Sequence, residues 1–268
     1  MISYREEAEL VRHEAKYIIP PQLVPEIRKY LKPFCSPDAY GKGDPPEYTV
    51  ITLQLDTADL ALHHAKENDS TNRFKLRIRT YGDPGSSVFL EVKRKVGAVI
   101  VKTRARVPRD RWSGDLLHRI AVDLPFKSDR EYRGFLTFLR LTREMRAEPV
   151  VKIRYIRESY FGELEDYARV SFDRCLQYQP TRSWDVACEE GRWLSIDSDL
   201  TQNKLNAFSG VVLELKTLND APHWMVDLTR EFGLVRGGHC KYSNAIWNES
   251  LFRGTPTAPV YAPELFHF

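Results

Sequence analysis

Phe74-Lys75-Leu76-Arg77-Ile78-Arg79-Thr80-Tyr81 is the stretch that most restricts what this chain can fold into. In a β-strand, Phe74, Leu76 and Ile78 fall on one face and Lys75, Arg77, Arg79 and Tyr81 on the other. Three cations in a row on one strand face repel one another, so that face meets either water or an anion. The pattern recurs. Leu90-Glu91-Val92-Lys93 sets Glu91 and Lys93 against Leu90 and Val92, and Val211-Val212-Leu213-Glu214-Leu215-Lys216 sets Glu214 and Lys216 against Leu213 and Leu215. Arg169-Val170-Ser171-Phe172-Asp173 opposes Arg169 and Asp173 to Val170 and Phe172, and Arg12-His13-Glu14-Ala15-Lys16 groups Arg12, Glu14 and Lys16. An antiparallel sheet with a core side and a water side explains any one such strand. It explains the set less well, because the charges repeat as Glu-x-Lys.

The remaining elements follow in order. Residues 11–19 read as a first strand closed by Pro20 and Pro21, with a helix over Gln22–Leu31. Pro33 to Pro46 reads as a loop and Tyr48–Asp56 as a strand. Asp59–Lys66 is a short turn or helix whose adjacent His63 and His64 are expected to be solvated rather than metal-binding. Gly82-Asp83-Pro84-Gly85 turns the basic strand back into Val88–Lys95. Gly97 breaks that strand, and Val99–Val107 follows with Lys102, Arg104 and Arg106 on one face. The period then becomes helical. Arg111–Ala121 carries Leu116, Leu117 and Ile120; a second helix is capped by Ser128, with Glu131 completing a capping box and Tyr132, Phe135, Leu136 and Leu139 as its buried face. Strands are expected over Val150–Phe161, Val170–Tyr178 and Val211–Leu218. A helix over Pro222–Phe232 and a basic loop, Gly237–Ser243, lead to a short helix near Asn244–Phe252. Residues 179–209 carry no strong signal, and the proline-containing tail 254–268 is expected to run extended. No repeat or linker divides the chain, so residues 1–268 read as one α+β domain with its core over about 10–250.

Composition narrows the class. A chain of 268 residues, 42% hydrophobic and 29% charged, is that of a soluble globular protein. The net charge of +3 does not demand nucleic acid, so any strong field comes from clustering. No apolar run approaches the roughly 20 residues that cross a bilayer, and the start lacks the order of a signal peptide. Cys35, Cys175, Cys188 and Cys240 are widely spaced, without a zinc pattern, and are expected as reduced thiols in a cytoplasmic protein.

A single sheet can turn its charged face to solvent; a sheet closed into a barrel puts that face inside. An interior of unpaired Lys and Arg is unstable, because desolvating each ion costs several kcal/mol. It becomes tolerable when the interior is wet, when Glu14, Glu91 and Glu214 pair with Lys16, Lys93 and Lys216, and when a polyanion fills the rest. The same glutamates also suit a hard divalent cation, which binds through one or two carboxylates plus substrate phosphates. These residue types select a linear, highly charged phosphate ester or anhydride over a single carboxylate.

Arg12-x-Glu14-x-Lys16-Tyr17, Asp56-Thr57, Lys75-x-Arg77-x-Arg79-x-Tyr81-Gly82, Leu90-Glu91-x-Lys93, Lys102, Tyr155-x-Arg157, Arg169-Val170-Ser171-x-Asp173, Leu213-Glu214-x-Lys216 and Lys241-Tyr242-Ser243 stand in a fixed order. That ordered set resembles the polyphosphate polymerase (VTC) domain of the triphosphate tunnel metalloenzyme, or CYTH-like, superfamily, over about residues 10–250. The resemblance implies an antiparallel eight-stranded β-barrel, the triphosphate tunnel, with flanking helices. It implies a triphosphate, nucleotide or polyphosphate ligand and Mn²⁺ or Mg²⁺ as cofactor. By position, Lys16, Lys75, Arg77, Arg79, Lys93, Lys102, Arg157, Arg169, Lys216 and Lys241 match phosphate-binding residues, Arg157 being preferred to Arg154. Lys16, Arg77, Arg79, Lys93, Lys102 and Glu214 are the expected catalytic set. Glu214, with Glu14 and Glu91, is the expected metal set, the last two also serving as supporting carboxylates.

There are departures. The first strand reads Arg-x-Glu-x-Lys rather than the Glu-x-Glu-x-Lys of the branch with adenylate cyclases and thiamine triphosphatases, which favours the polyphosphate branch. Leu53-Gln54-Leu55-Asp56 stands where the family often has Tyr-Phe-Asp. Neither a phosphate-sensing SPX domain nor a membrane segment is in the sequence, so a free-standing, soluble, prokaryotic member without membrane insertion is expected. The implied reaction is phosphoryl transfer from ATP to polyphosphate; the alternatives are tripolyphosphate or nucleoside triphosphate hydrolysis, and a non-catalytic sensor of polyphosphate or inositol phosphates. Nucleic acid is not expected, since aromatic residues do not interleave with the basic strands.

Overall fold

In a computed structural model of the chain, the described residues are 13–82, 86–97, 99–118, 124–165, 167–187, 193–196, 210–218 and 220–253, with residues 251–253 described by their backbone. The expectations for Arg12, Asp83–Gly85, Ile120, Cys188, most of 179–209 and the tail 254–268 lie outside them.

The elements are β1 (His13–Ile19), α1 (Leu23–Leu31), β2 (Cys35–Pro37), β3 (Glu47–Asp56), α2 (Ala61–Glu67), β4 (Asn72–Tyr81), β5 (Ser87–Val96), β6 (Val99–Pro108), α3 (Asp129–Glu144), β7 (Glu148–Gly162), β8 (Ala168–Pro180), β9 (Leu194–Ser195), β10 (Val211–Thr217), α4 (His223–Glu231) and α5 (Lys241–Arg253). Two 3-10 turns, Arg109–Arg111 and Gly114–His118, stand where one helix over 111–121 was expected. The short β2 forms inside the expected loop by pairing with β7. The fold is α+β, and its eight long strands follow the antiparallel architecture expected of the tunnel type. Their hydrogen-bonded order is β1-β10-β8-β7-β3-β4-β5-β6. No helix among the described residues is long and apolar enough to cross a membrane.

The chain divides into two compact units, each assembled from three stretches: Met1–Tyr48, Tyr155–Cys175 and Asp197–His239 in the first; Thr49–Arg154, Leu176–Ile196 and Cys240–Phe268 in the second. In the first unit the apolar sides of the strands, through Val170, Phe172, Leu213 and Leu215, pack under Val24, Ile27 and Leu31 of α1 and Trp224, Met225 and Leu228 of α4. In the second, Leu76, Ile78, Leu90, Val92, Ala105 and Val107 pack under Phe135, Phe138 and Leu139 of α3. Each such side chain, fully buried, contributes about 1.5–3 kcal/mol.

The two cores explain the alternation of β4, β5, β6, β8 and β10, since helices cover one face of each. Three expectations need correcting. Tyr132 and Leu136 are exposed; α3 instead turns Gly134, Phe135, Phe138, Leu139 and Thr142 inward. Gly134 allows this, because a Cβ there would come within 3.0 Å of the Arg104 carbonyl oxygen on β6. Ser128 caps α3 by accepting from the Glu131 amide, but the Glu131 carboxylate accepts from the amides of Lys127 and Arg106, tying the helix to β6. His63 is fully buried rather than solvated, its ring against Tyr242 and Trp247, and burial lowers its pKa to about 4.

Candidate phosphate and metal site

Within the first unit, antiparallel register sets Lys16 of β1 opposite Glu214 of β10, and Glu14 opposite Lys216. On the other side of β10, Glu214 faces Ser171 and Lys216 faces Arg169 of β8. Period two therefore puts Glu14, Lys16, Arg169, Ser171, Asp173, Glu214 and Lys216 on one face. Lys16 Nζ lies 3.2 Å from Glu14 Oε1 and 3.3 Å from Glu214 Oε1, and it donates to the His239 carbonyl at 3.1 Å. Lys216 Nζ donates to Glu214 Oε2 at 2.5 Å. Burial lowers the Lys216 pKa, against the pull of Glu214.

Arg157 of β7 reaches the same cluster. Its Nε and Nη2 donate to the two oxygens of buried Asp173 at 2.6 and 2.7 Å, and Nη2 is 3.6 Å from Glu214 Oε2. Burial opposes its charge, but Asp173 outweighs it and raises its pKa well above the ordinary value. Arg154, the weaker sequence candidate, donates to Gln177 and stacks on Trp193 within the second unit. Arg169 donates to Ser159, Asp38 and Tyr48 at 2.9–3.0 Å. Both arginines expected to bind phosphate thus already hold carboxylates of the first unit.

Within the second unit, Arg77 is in register with Glu91 and Lys75 with Lys93; across β5, Glu91 faces Arg104 and Lys93 faces Lys102. The Glu91 side chain is fully buried. It accepts from Arg77 at 2.7 Å and lies 2.9 Å from Lys102, 3.5 Å from Arg104 and 3.8 Å from Arg79. Burial alone would push Glu91 up, but Arg79, Arg77 and Lys102 hold it well below the usual carboxylate range. Burial lowers Lys102 to about 8 even with Glu91 beside it. Four cations share one carboxylate, so this wall keeps a surplus of positive charge.

The wall ends at the first turn of α5. Lys75 Nζ lies 2.8 Å from Cys240 Sγ, the residue before Lys241. Burial would raise the Cys240 thiol, but Lys75 and the Ser243 hydroxyl and amide bring it down to about 6. Tyr242 donates to buried Asp56 at 2.6 Å, and that carboxylate also accepts from the amides of Thr57, Leu62 and His63 at 2.7–2.9 Å. Asp56 thereby ties both α2 and α5 to the end of β3, which places Lys241 on the same unit as Lys75, Arg77, Arg79, Lys93 and Lys102.

The carboxylates differ in their fitness for a metal. Glu14 and Glu214 share Lys16 between them, and two such carboxylates would suit Mg²⁺ or Mn²⁺ if phosphate completed its shell. Cations crowd two of the three expected metal carboxylates, Lys16, Lys216 and Arg157 beside Glu214 and four around Glu91, so a dication would have to displace cations at either, most of all at Glu91. Among the described residues no group of three or more His, Cys, Asp or Glu is placed to hold a metal, so the protein's share would be Glu14 and Glu214. Arg104, Asp38 and the Asp56–Tyr242 link were not singled out as site residues, although Arg104 stood in a visible period-two row with Lys102.

The fold is thus α+β, with carboxylates sharing a lysine on one polar strand face and a surplus of cations on another. The VTC domain family model matches residues 11–248, and the chain belongs to that family. Comparison with curated proteins finds no match. Among solved structures, the PH1819 protein from Pyrococcus horikoshii OT3 is similar at 13% identity with a TM-score of 0.46, over 89% of this chain and 99% of that one.

Proposed function

We propose that the chain carries out metal-dependent phosphoryl transfer on triphosphate or polyphosphate, of the polyphosphate polymerase type, with ATP as phosphate source. The observation that carries this is the wall of Arg77, Arg79, Lys102 and Arg104 around buried Glu91, whose excess charge matches a condensed anion. Phosphoryl transfer asks for positioning and charge stabilisation rather than covalent help. Arg77, Arg79, Lys93, Lys102 and Lys241 would grip phosphate oxygens, with Lys75 at the end of the row. Glu214 and Glu14 would hold Mn²⁺ or Mg²⁺, which when bound supplies Lewis-acid polarisation of a phosphoryl oxygen. Lys16 and Lys216 orient Glu214 from both sides, and Arg157 fixes Asp173 beside it. Hydrolysis is the second reading, and Glu14 favours it: a partly exposed carboxylate suits activation of water.

Incubation of the purified chain with ATP, and separately with tripolyphosphate, in the presence of Mn²⁺ tests the proposal. Long polyphosphate from ATP is the expected result, lost in Glu214→Ala. Orthophosphate release without polymer would make the protein a hydrolase. Tight binding without turnover, unchanged in Glu214→Ala, would make it a sensor.

A further inference from the structure

Tyr81 closes the basic row of β4, and neither the metal nor the phosphate roles above use it. Its hydroxyl lies 3.4 Å from Arg79 Nη1 and 3.4 Å from Arg104 Nη2. The two guanidinium carbons stand 5.9 and 5.6 Å from its ring centroid, and Phe89 of β5 braces the ring edge-on at 5.5 Å. The Arg104 guanidinium carbon also lies over the Phe89 ring, 3.7 Å from its centroid. Both guanidinium groups have Glu91 on one side and the phenol on another. Two arginines are thus gathered on a neutral oxygen at distances beyond the usual hydrogen-bond range of about 2.7–3.2 Å. A charged phosphate oxygen bonds such groups about twice as strongly.

We propose that Tyr81 stands in for phosphate on this wall: its hydroxyl keeps Arg79 and Arg104 gathered when no anion is bound and gives them up when one arrives. The inference rests on the phosphate reading and deepens it. It has a chemical consequence, because a phenol both donates and accepts. Protonated Tyr81 yields the arginines to phosphate and can donate a hydrogen bond to it. Ionised Tyr81 competes for the same two cations. Binding and ionisation therefore oppose each other by equal factors. The charged groups acting most strongly on Tyr81 are Arg79 of its own strand, Arg104 of β6 and Glu91 of β5. Burial raises the phenol, but Arg79 and Arg104 bring it down to about 8.

The test is a pH titration of tyrosinate absorbance in the full chain and in Tyr81→Phe, each with and without saturating inorganic tripolyphosphate. Calorimetry measures binding in parallel. Lys102 titrates in the same range, so affinity alone would not identify the group; the tyrosinate band does. Tyr17, Tyr30, Tyr160 and Tyr242 are all pushed upward, and the difference between the parent and Tyr81→Phe assigns the early band. The expected result is one tyrosinate forming near pH 8, absent from Tyr81→Phe and moved upward by about one unit or more on tripolyphosphate binding, with a matching tenfold loss of affinity above it. Binding that leaves this titration unmoved overturns the inference and spares the phosphate reading, as does a wild-type chain with no early tyrosinate. No binding of tripolyphosphate at any pH overturns the phosphate reading, and this inference with it. If Tyr81→Phe fails to fold, the wild-type titration with and without tripolyphosphate still decides.

Discussion

Glu91 shows at the scale of one residue how a buried charge becomes a design element. Its carboxylate has no water to lean on, and it is stable as an anion only because four cations surround it. Glu91→Gln removes the negative charge and leaves the cations facing one another. Breaking a buried pair from one side costs roughly 3–5 kcal/mol, so the variant should melt far below the parent. Tripolyphosphate should restore more melting temperature to the variant than to the parent, since it brings back the missing charge. A variant as stable as the parent, measured by calorimetry without ligand, would mean the wall does not need its central carboxylate. The sequence showed this residue as one member of a Glu-x-Lys pair with Lys93. What it hid is that Arg77 and Lys102, on neighbouring strands, are its short-range partners, because cross-strand register is not written in any one strand.

Among the elements, α3 tests how far periodicity can be trusted. Phe135 and Leu139 were legible as buried, while Tyr132 and Leu136 were not legible as exposed, because four apolar residues within two turns define a stripe too wide to orient. The close approach of Gly134 to the β6 backbone chooses the orientation, and that is a tertiary fact. Gly134→Ala should push α3 off β6 and cost about 1–3 kcal/mol in urea unfolding, as overpacking does. Tyr132→Ala, on the exposed side, should change stability by no more than about 0.5 kcal/mol. The reverse ranking would refute the packing described. The strands were read better than the helices, since alternation at period two directly names the buried face. The burial of His63 escaped for a related reason: the pocket that Tyr242 and Trp247 build for it comes from the far end of the sequence.

For the whole molecule, several titrating groups bias stability in one direction. His63 takes its proton at about 4 when folded against 6.5 when free, so stability falls as the pH drops through that window. Cys240, held at about 6 against 9.0, and Tyr81, held at about 8 against 10.0, lose protons earlier in the folded chain. Each therefore adds stability as the pH rises across its own window. Without ligand, the urea midpoint should climb from about pH 5 to about pH 8.5; a flat or falling profile would contradict the electrostatics described. Above that range Cys35, pushed up to about 12 chiefly by burial, works the other way. The antiparallel α+β class was legible because so many strands announce themselves, while the count of eight came with the family resemblance; the division into two units was not legible, since β3, β7 and β8 each run from one into the other. The bond from Lys16 to the His239 carbonyl spans 223 positions, and β1 pairs along its length with β10. On the ribosome, β1 must wait for β10 before its partner exists, so premature termination upstream of β10 would release a polypeptide with bare strand edges, matter for chaperones and proteases rather than a smaller working protein.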